Sequence, residues 1–395
     1  MQKLRRLLVP LLALAALVWV VQWLMSKREV QFRLGPGVEL VARDGVDGFL
    51  VREGESAWRL YDARSRSAQD GVAIAGVVGR PALAEDGGAF VLQAEGLLRV
   101  PHVGADVEPW RLAVPAGASL LGVTGGTQPV LAAPGADGVR ELFVPGSDDD
   151  GGVRLVPLQG PGTAHPPDAA TADDVVCAWG APAVAFCGPR GWEAWTWKEP
   201  GSARRCLADG CKRPGALFTP DASALIVPGK VDGLWTLSLN DGQMTMMAEG
   251  NLGSSRRVPA SAAFRDTGRY TRLVAPGWNL DGWLQIYQTH LFGGGRWGVQ
   301  IAFTHHYGVA VSQNGRFLAY CQAQFDEQGS EPFEEKLYVM DFEESLGTVS
   351  VGSRRGGVPW QGPHFVGSGA SLVYLAEGEV LRIELLPPDS GAKEN

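Results

Sequence analysis

The chain holds 395 residues, 45% hydrophobic and 20% charged, a balance that excludes a disordered polymer and gives room for one large domain or two ordinary ones. A formal charge of −8 and an isoelectric point near 5.4 exclude a general nucleic-acid binder, which needs a basic face to displace counterions. The 53 glycines and 26 prolines are spread along the chain, as many short strands joined by tight turns require.

Lys3, Arg5 and Arg6 open the chain, and an uncharged run follows from Leu7 to Met25, closed by Lys27 and Arg28. As a helix rising ~1.5 Å per residue, that run matches the roughly 30 Å hydrocarbon core of a bilayer. Trp19 and Trp23 fall near its far end, where indole rings suit the interface, and Pro10 falls in the first turn or so, where a missing N–H costs least. A cleaved leader and a buried core helix compete with this reading. A leader would have a shorter apolar core and a small residue where Leu24-Met25-Ser26 places leucine. Residues 1–28 therefore read as an uncleaved anchor that crosses the inner (cytoplasmic) membrane once, through residues 7–25. The flanking charges nearly balance, so orientation follows from the very short tail ahead of a long domain. That places residues 29–386 in the periplasm or exterior, with 387–395 as a disordered tail.

Beyond the anchor a short unit recurs: a turn rich in Gly, Asp or Asn, an apolar strand, a loop and a second strand. Four good copies start at Phe218, Phe264, Val311 and Phe365, spaced 46, 47 and 54 residues apart. Their second strands start at Leu234, Leu284, Leu337 and Val380. Fainter copies lie at Ala84–Leu92, Ala178–Phe186 and Phe49–Val51 with Trp58–Asp62, and one more near Leu120–Phe143. A unit of this period cannot bury both faces of its own sheet; neighbours in a closed ring cover them and leave only short edges. The expected fold is all-β: a β-propeller of seven or eight blades preceded by one transmembrane helix.

Val311-Ser-Gln-Asn-Gly-Arg-Phe-Leu-Ala-Tyr, with Leu337-Tyr-Val-Met-Asp, resembles the TolB-like (WD40-like) propeller repeat. Phe218-Thr-Pro-Asp-Ala keeps its Pro-Asp pair but has Ala222 where glycine is usual. The resemblance covers roughly residues 215 to 386. It implies fold far more than activity. There is no room between Met25 and the first strands for the extra N-terminal α/β domain of TolB.

Four of the five cysteines, Cys177, Cys187, Cys206 and Cys211, are clustered. In an exported domain they are disulfide candidates: Cys206 with Cys211 across a small loop, and Cys177 with Cys187 across a hairpin. Three connectivities exist for four cysteines, and buried thiols are the other reading. A zinc site would show Cys-x-x-Cys or a nearby histidine, and neither is present.

No catalytic motif stands out, so no catalytic, metal or cofactor residue is assigned. Gly367-Ser368-Gly369 lacks the spacing of a nucleophile elbow, and Gly293-Gly294-Gly295-Arg296 lacks the Lys-Ser/Thr of a phosphate loop. His305 and His306 are adjacent and so point to opposite faces of a strand, while Asp148-Asp149-Asp150 lacks the alternation of a calcium loop. Thirteen tryptophans are the remaining signal. Trp192, Trp278, Trp283 and Trp297 are candidate binding aromatics, with packing between blades as the alternative. The expectation is a membrane-anchored scaffold that binds envelope proteins and no nucleic acid. A channel enzyme (lyase, glycosidase or quinoprotein-like) and a polysaccharide-binding module are the alternatives.

Overall fold

A computed structural model describes residues 30–106, 109–135, 139–147, 153–158, 175–211, 215–228, 233–249, 263–266, 271–276, 283–288, 296–300, 304–313, 315–325, 332–341, 348–354, 361–367 and 371–385. Among them, eight antiparallel four-stranded sheets follow one another along the chain. Seven are simple meanders, here blade 1 (Glu39–Ile74), blade 2 (Ala82–Leu112), blade 3 (Ser119–Pro157), blade 4 (Val175–Asp209), blade 5 (Leu217–Glu249), blade 6 (Ala263–Gln300) and blade 7 (Thr304–Arg354). Blade 8 takes three strands from the C-terminal part, Gln361–Val366, Ser371–Ala376 and Glu379–Glu384. Its outer strand is Val30–Pro36, paired antiparallel to Glu379–Glu384. This N-terminal strand closes the ring, and the fold is an eight-bladed β-propeller.

Blade strands read as nearly continuous apolar runs because both faces of each sheet are covered. Side-chain alternation then divides one strand between two cores. In Ser371–Ala376, Leu372 and Tyr374 pack into the core shared with blade 7, and Val373 and Leu375 into the one shared with blade 1. Similarly, Phe49 and Val51 face blade 8 while Leu50 faces blade 2. Ala183 and Ala185 join the core with blade 5, and Val184 and Phe186 the core with blade 3. Each such side chain contributes roughly 1.5–3 kcal/mol when fully buried if large, less for alanine. The blades approach closely where glycine permits it: a Cβ at Gly48 would lie 2.1 Å from the carbonyl oxygen of Gly87 in blade 2.

Polar groups fix the blades relative to one another. Asp44, just past the inner strand of blade 1, accepts N–H bonds from Val311 of blade 7 at 3.2 Å and Phe365 of blade 8 at 2.9 Å. Thr124 at the end of the inner strand of blade 3 donates to carbonyls around Ala178–Ala183 of blade 4 and accepts the Ala183 N–H at 2.8 Å. His102 Nε2 meets Asp62 Oδ2 at 2.8 Å between blades 2 and 1. At the closure, the Tyr61 hydroxyl donates to the Leu34 carbonyl at 3.2 Å.

The expected transmembrane segment, residues 7–25, lies outside the described residues. Among the described residues no helix is long and apolar enough to cross a membrane.

Candidate functional site

The innermost strands of blades 1 to 4 enclose one side of the ring axis, and a cavity of about 220 Å³ lies between them. Aliphatic side chains, Val41, Leu83, Leu121 and Val176 among them, share its walls about equally with polar surface. Arg43, Arg80 and Cys177 add the polar and reactive groups. Arg80 enters just ahead of the inner strand Ala82–Leu83, and Arg43 follows the inner strand Glu39–Val41, so the two guanidinium groups come from opposite ends of their strands.

Arg43 reaches from blade 1 toward blade 4 and lays its guanidinium over the Trp179 ring, 4.1 Å from the centroid. This cation is partly buried and lines the cavity. Burial pulls its pKa down to about 10, while Cys177 and Asp44 pull the other way. It therefore stays charged at neutral pH. Burial pushes the Cys177 thiol up to about 12 against the opposing effect of Arg43. The thiol is thus neutral at physiological pH and is no activated nucleophile. Cys177 comes this close because Gly122 forms a bulge in blade 3 at φ +157°; a Cβ there would stand 2.6 Å from the sulfur.

Most other ionisable side chains sit at joints or along blade edges. Arg316 forks onto Asp341, Arg205 meets the buried Glu193 at 2.8 Å, and Arg59 meets Glu53 at 2.6 Å. Arg382, only 1% exposed, pairs with Glu384, donates to the Ser65 carbonyl at 2.8 Å and stacks over Phe32 of the closing strand at 4.8 Å. Burial lowers its pKa, and Glu384 opposes that. His364 Nδ1 lies 3.8 Å from Asp44. Among the described residues no three His, Cys, Asp or Glu side chains gather as a metal site would require.

The residues singled out in the sequence separate in space. Trp192 is wholly buried in the core between blades 4 and 5, so it packs blades and offers no ring to a ligand. Trp283 and Trp297 lie on strands of blade 6 whose side chains are outside the described residues, as is all of Trp278. Asp148–Asp150 also lie outside them. In the cysteine cluster, Cys177 stands opposite Val184 and Cys187 opposite Trp192. The hairpin register thus offsets Cys187 from Cys177 by three residues, roughly 10 Å at strand rise. Cys206 and Cys211 share the core between blades 4 and 5. Arg43 and Arg80 carried no motif; their one sequence signal is their place beside an inner strand.

Fold and site together define an eight-bladed propeller with an arginine-bearing cavity between the inner strands of blades 1 to 4. No family model matches the chain, and no curated protein matches it. Among solved structures it is similar to the β-propeller domain of Cps50 (Swd1) from Myceliophteria thermophila, at 9% identity and a TM-score of 0.44 over 90% of this chain and 98% of that one.

Proposed function

We propose that this chain is a membrane-held propeller of the TolB-type repeat class, anchored through residues 7–25 with its ring outside the cytoplasm, and that it serves as a binding scaffold for other envelope proteins. The observation that carries this reading is where the charges go. Asp44, the pair Asp62–His102 and Arg382 on the Ser65 carbonyl lock blade to blade, and the neutral Thr124 does the same. The cavity between blades 1 and 4, by contrast, has aliphatic side chains, Arg43, Arg80 and Cys177 in its wall, with no carboxylate or histidine among those lining residues. Chemistry in a channel calls for several acid, base or nucleophilic groups around one point. A rigid ring whose polar groups hold its own joints suits presentation of an outer surface. The exposed apolar side chains Val72, Trp110, Val153 and Met246, on the outer strands of blades 1, 2, 3 and 5, belong to that surface.

The test is photo-crosslinking in intact membranes, with the full chain carrying the crosslinker at Val72, Trp110, Val153 or Met246 in turn. A discrete adduct shared by neighbouring positions is expected. No discrete adduct from any of the four overturns the scaffold reading. Protease applied to the outside of sealed cells stripped of their outer layer is expected to cut the ring. Protection there overturns the placement.

A further inference from the structure

Two cations line the cavity, and among the described residues one of them, Arg43, has no carboxylate within ion-pair distance. Arg80 meets Glu39 at 3.0 Å. Glu39 also meets Arg52 at 3.2 Å, so one carboxylate serves two guanidinium groups. For Arg43 the nearest carboxylate in sequence is Asp44, but both Asp44 oxygens accept backbone N–H bonds from blades 7 and 8. Arg43 stacks on the π-face of Trp179 and shares the cavity wall with the neutral Cys177 thiol, neither carrying a full negative charge. Stacking occupies the face of a guanidinium and leaves its N–H edge able to donate two parallel bonds. The cavity is partly open, and the aliphatic side chains in its wall reduce, without abolishing, the screening of the charge. A cavity of about 220 Å³ falls below the ~300–1,000 Å³ typical of sites for drug-sized ligands. It holds the volume of roughly seven waters at ~30 Å³ each.

We propose that the channel between blades 1 and 4 binds a small organic anion, with a carboxylate or phosphate head on the N–H edge of Arg43 and a short apolar body against Val41, Leu83, Leu121 and Val176. This site goes beyond the scaffold reading and does not depend on it: the crosslinks report the outer rim, and the ligand occupies the axis. Arg80 adds a second positive charge at the other end of the cavity, half-neutralised by the shared Glu39.

The test is calorimetric titration of the purified full-length chain with hexanoate, with inorganic phosphate, and with hexanamide as the uncharged isostere. Saturable binding of hexanoate at one site is expected, at least about tenfold tighter than hexanamide, because a charge-assisted pair is lost in the amide. Arg43→Gln is expected to weaken hexanoate at least about tenfold, whereas Arg190→Gln on the surface of blade 4 leaves it unchanged. Binding of phosphate that also needs Arg43 supports a head-group site, and comparing the two affinities identifies which head it prefers. Should Arg43→Gln fail to give a cooperative melt, Arg43→Lys is the second variant; it keeps the charge, loses the forked edge, and is expected to bind several-fold more weakly. Trp179→Phe is expected to remove any anion-dependent fluorescence change while keeping the calorimetric signal. Equal affinity for hexanoate and hexanamide overturns the proposal, as do equal affinities in wild type and in whichever Arg43 variant folds. So does no heat from either anion up to about 10 mM, well above the millimolar range where the weakest specific sites saturate.

Discussion

Asp44 holds three blades with one carboxylate, since its two oxygens receive separate N–H donors from blades 7 and 8 while its backbone belongs to blade 1. A hydrogen bond to a charged acceptor contributes about 1.5–3 kcal/mol. Asp44→Ala should therefore cost about 3 kcal/mol or more in urea unfolding, and Asp44→Asn, which keeps one acceptor oxygen, about half as much. A loss of stability below about 1 kcal/mol for the alanine variant would show that neighbouring carbonyls and water carry the joint instead. Alkaline pH tests the buried thiols. Burial pushes Cys177 up to about 12 from 9.0, and it also raises Cys206. Burial pushes Tyr61 and Tyr320 up to about 12 from 10.0. Between the unfolded and folded values the unfolded chain has released its proton and the folded chain still holds it. Stability therefore falls as pH rises, starting near pH 9 with the thiols and continuing near pH 10 with the phenols. Between about pH 8 and pH 10 the loss should reach roughly 1 kcal/mol per fully shifted thiol. Cys177→Ala should lose less over that range than the wild type, and an equal loss in both would remove Cys177 from the account.

At the scale of a strand, the closing element decides whether the ring is a ring. Val30–Pro36 brings the fully buried Leu34 into the core between blades 8 and 1, lays Phe32 over Arg382, and lets Gln31 donate to the Tyr374 hydroxyl at 3.2 Å. Losing the buried Leu34 and the partly buried Phe32 together with an outer ladder removes about 5 kcal/mol, or roughly 7 °C in melting temperature for a domain of this size. Deletion of residues 1–28 should leave the melting temperature unchanged, whereas deletion of residues 1–36 should lower it by about that amount. A synthetic peptide spanning residues 29–37 should restore it. Two truncations melting alike would mean that the ring is held without the clasp. This element also marks the limit of what periodicity can read. Phe218, Phe264, Val311 and Phe365 all fall within or at the end of an inner strand, so the spacing in the C-terminal half reports the blades directly. The fainter copies at Phe49, Ala84, Leu120 and Ala178 also fall within or just beside strands of blades 1 to 4, which brings the count to eight. Val30–Pro36 stayed invisible because its partners lie some 350 residues away, and local pattern carries no record of so distant a pairing. Arg43 was equally unreadable: one of 35 basic residues, it becomes distinctive only when blade 4 brings Trp179 beneath it. Trp192 shows the converse, a ring conspicuous by composition that alternation turns into an inter-blade core.

For the molecule as a whole, the clasp and the proposed anchor are consecutive in the chain, and that constrains how the ring would hang. Four residues separate Met25 from Val30, a reach of at most roughly 18 Å when extended. A bilayer span over residues 7–25 would hold the propeller by the outer edge of blade 8. Loops from either face of the ring and the channel mouth would then be free of the lipid surface. In a ring of eight, blade 4 lies opposite blade 8. Four strands at ~4.8 Å on each side of the axis put the far rim roughly 40–50 Å from the near one. Fluorophores on single introduced cysteines should report this in vesicles that carry a lipid-confined acceptor, with the native thiols replaced by alanine or serine. Arg33→Cys on the clasp should transfer energy strongly, and Arg190→Cys on blade 4 should transfer little. Equal transfer from both would mean that the ring lies flat on the bilayer, with one channel mouth against lipid. A small anion would then reach Arg43 only from the opposite face, and the exposed side chains of the rim would approach any partner in the plane of the membrane.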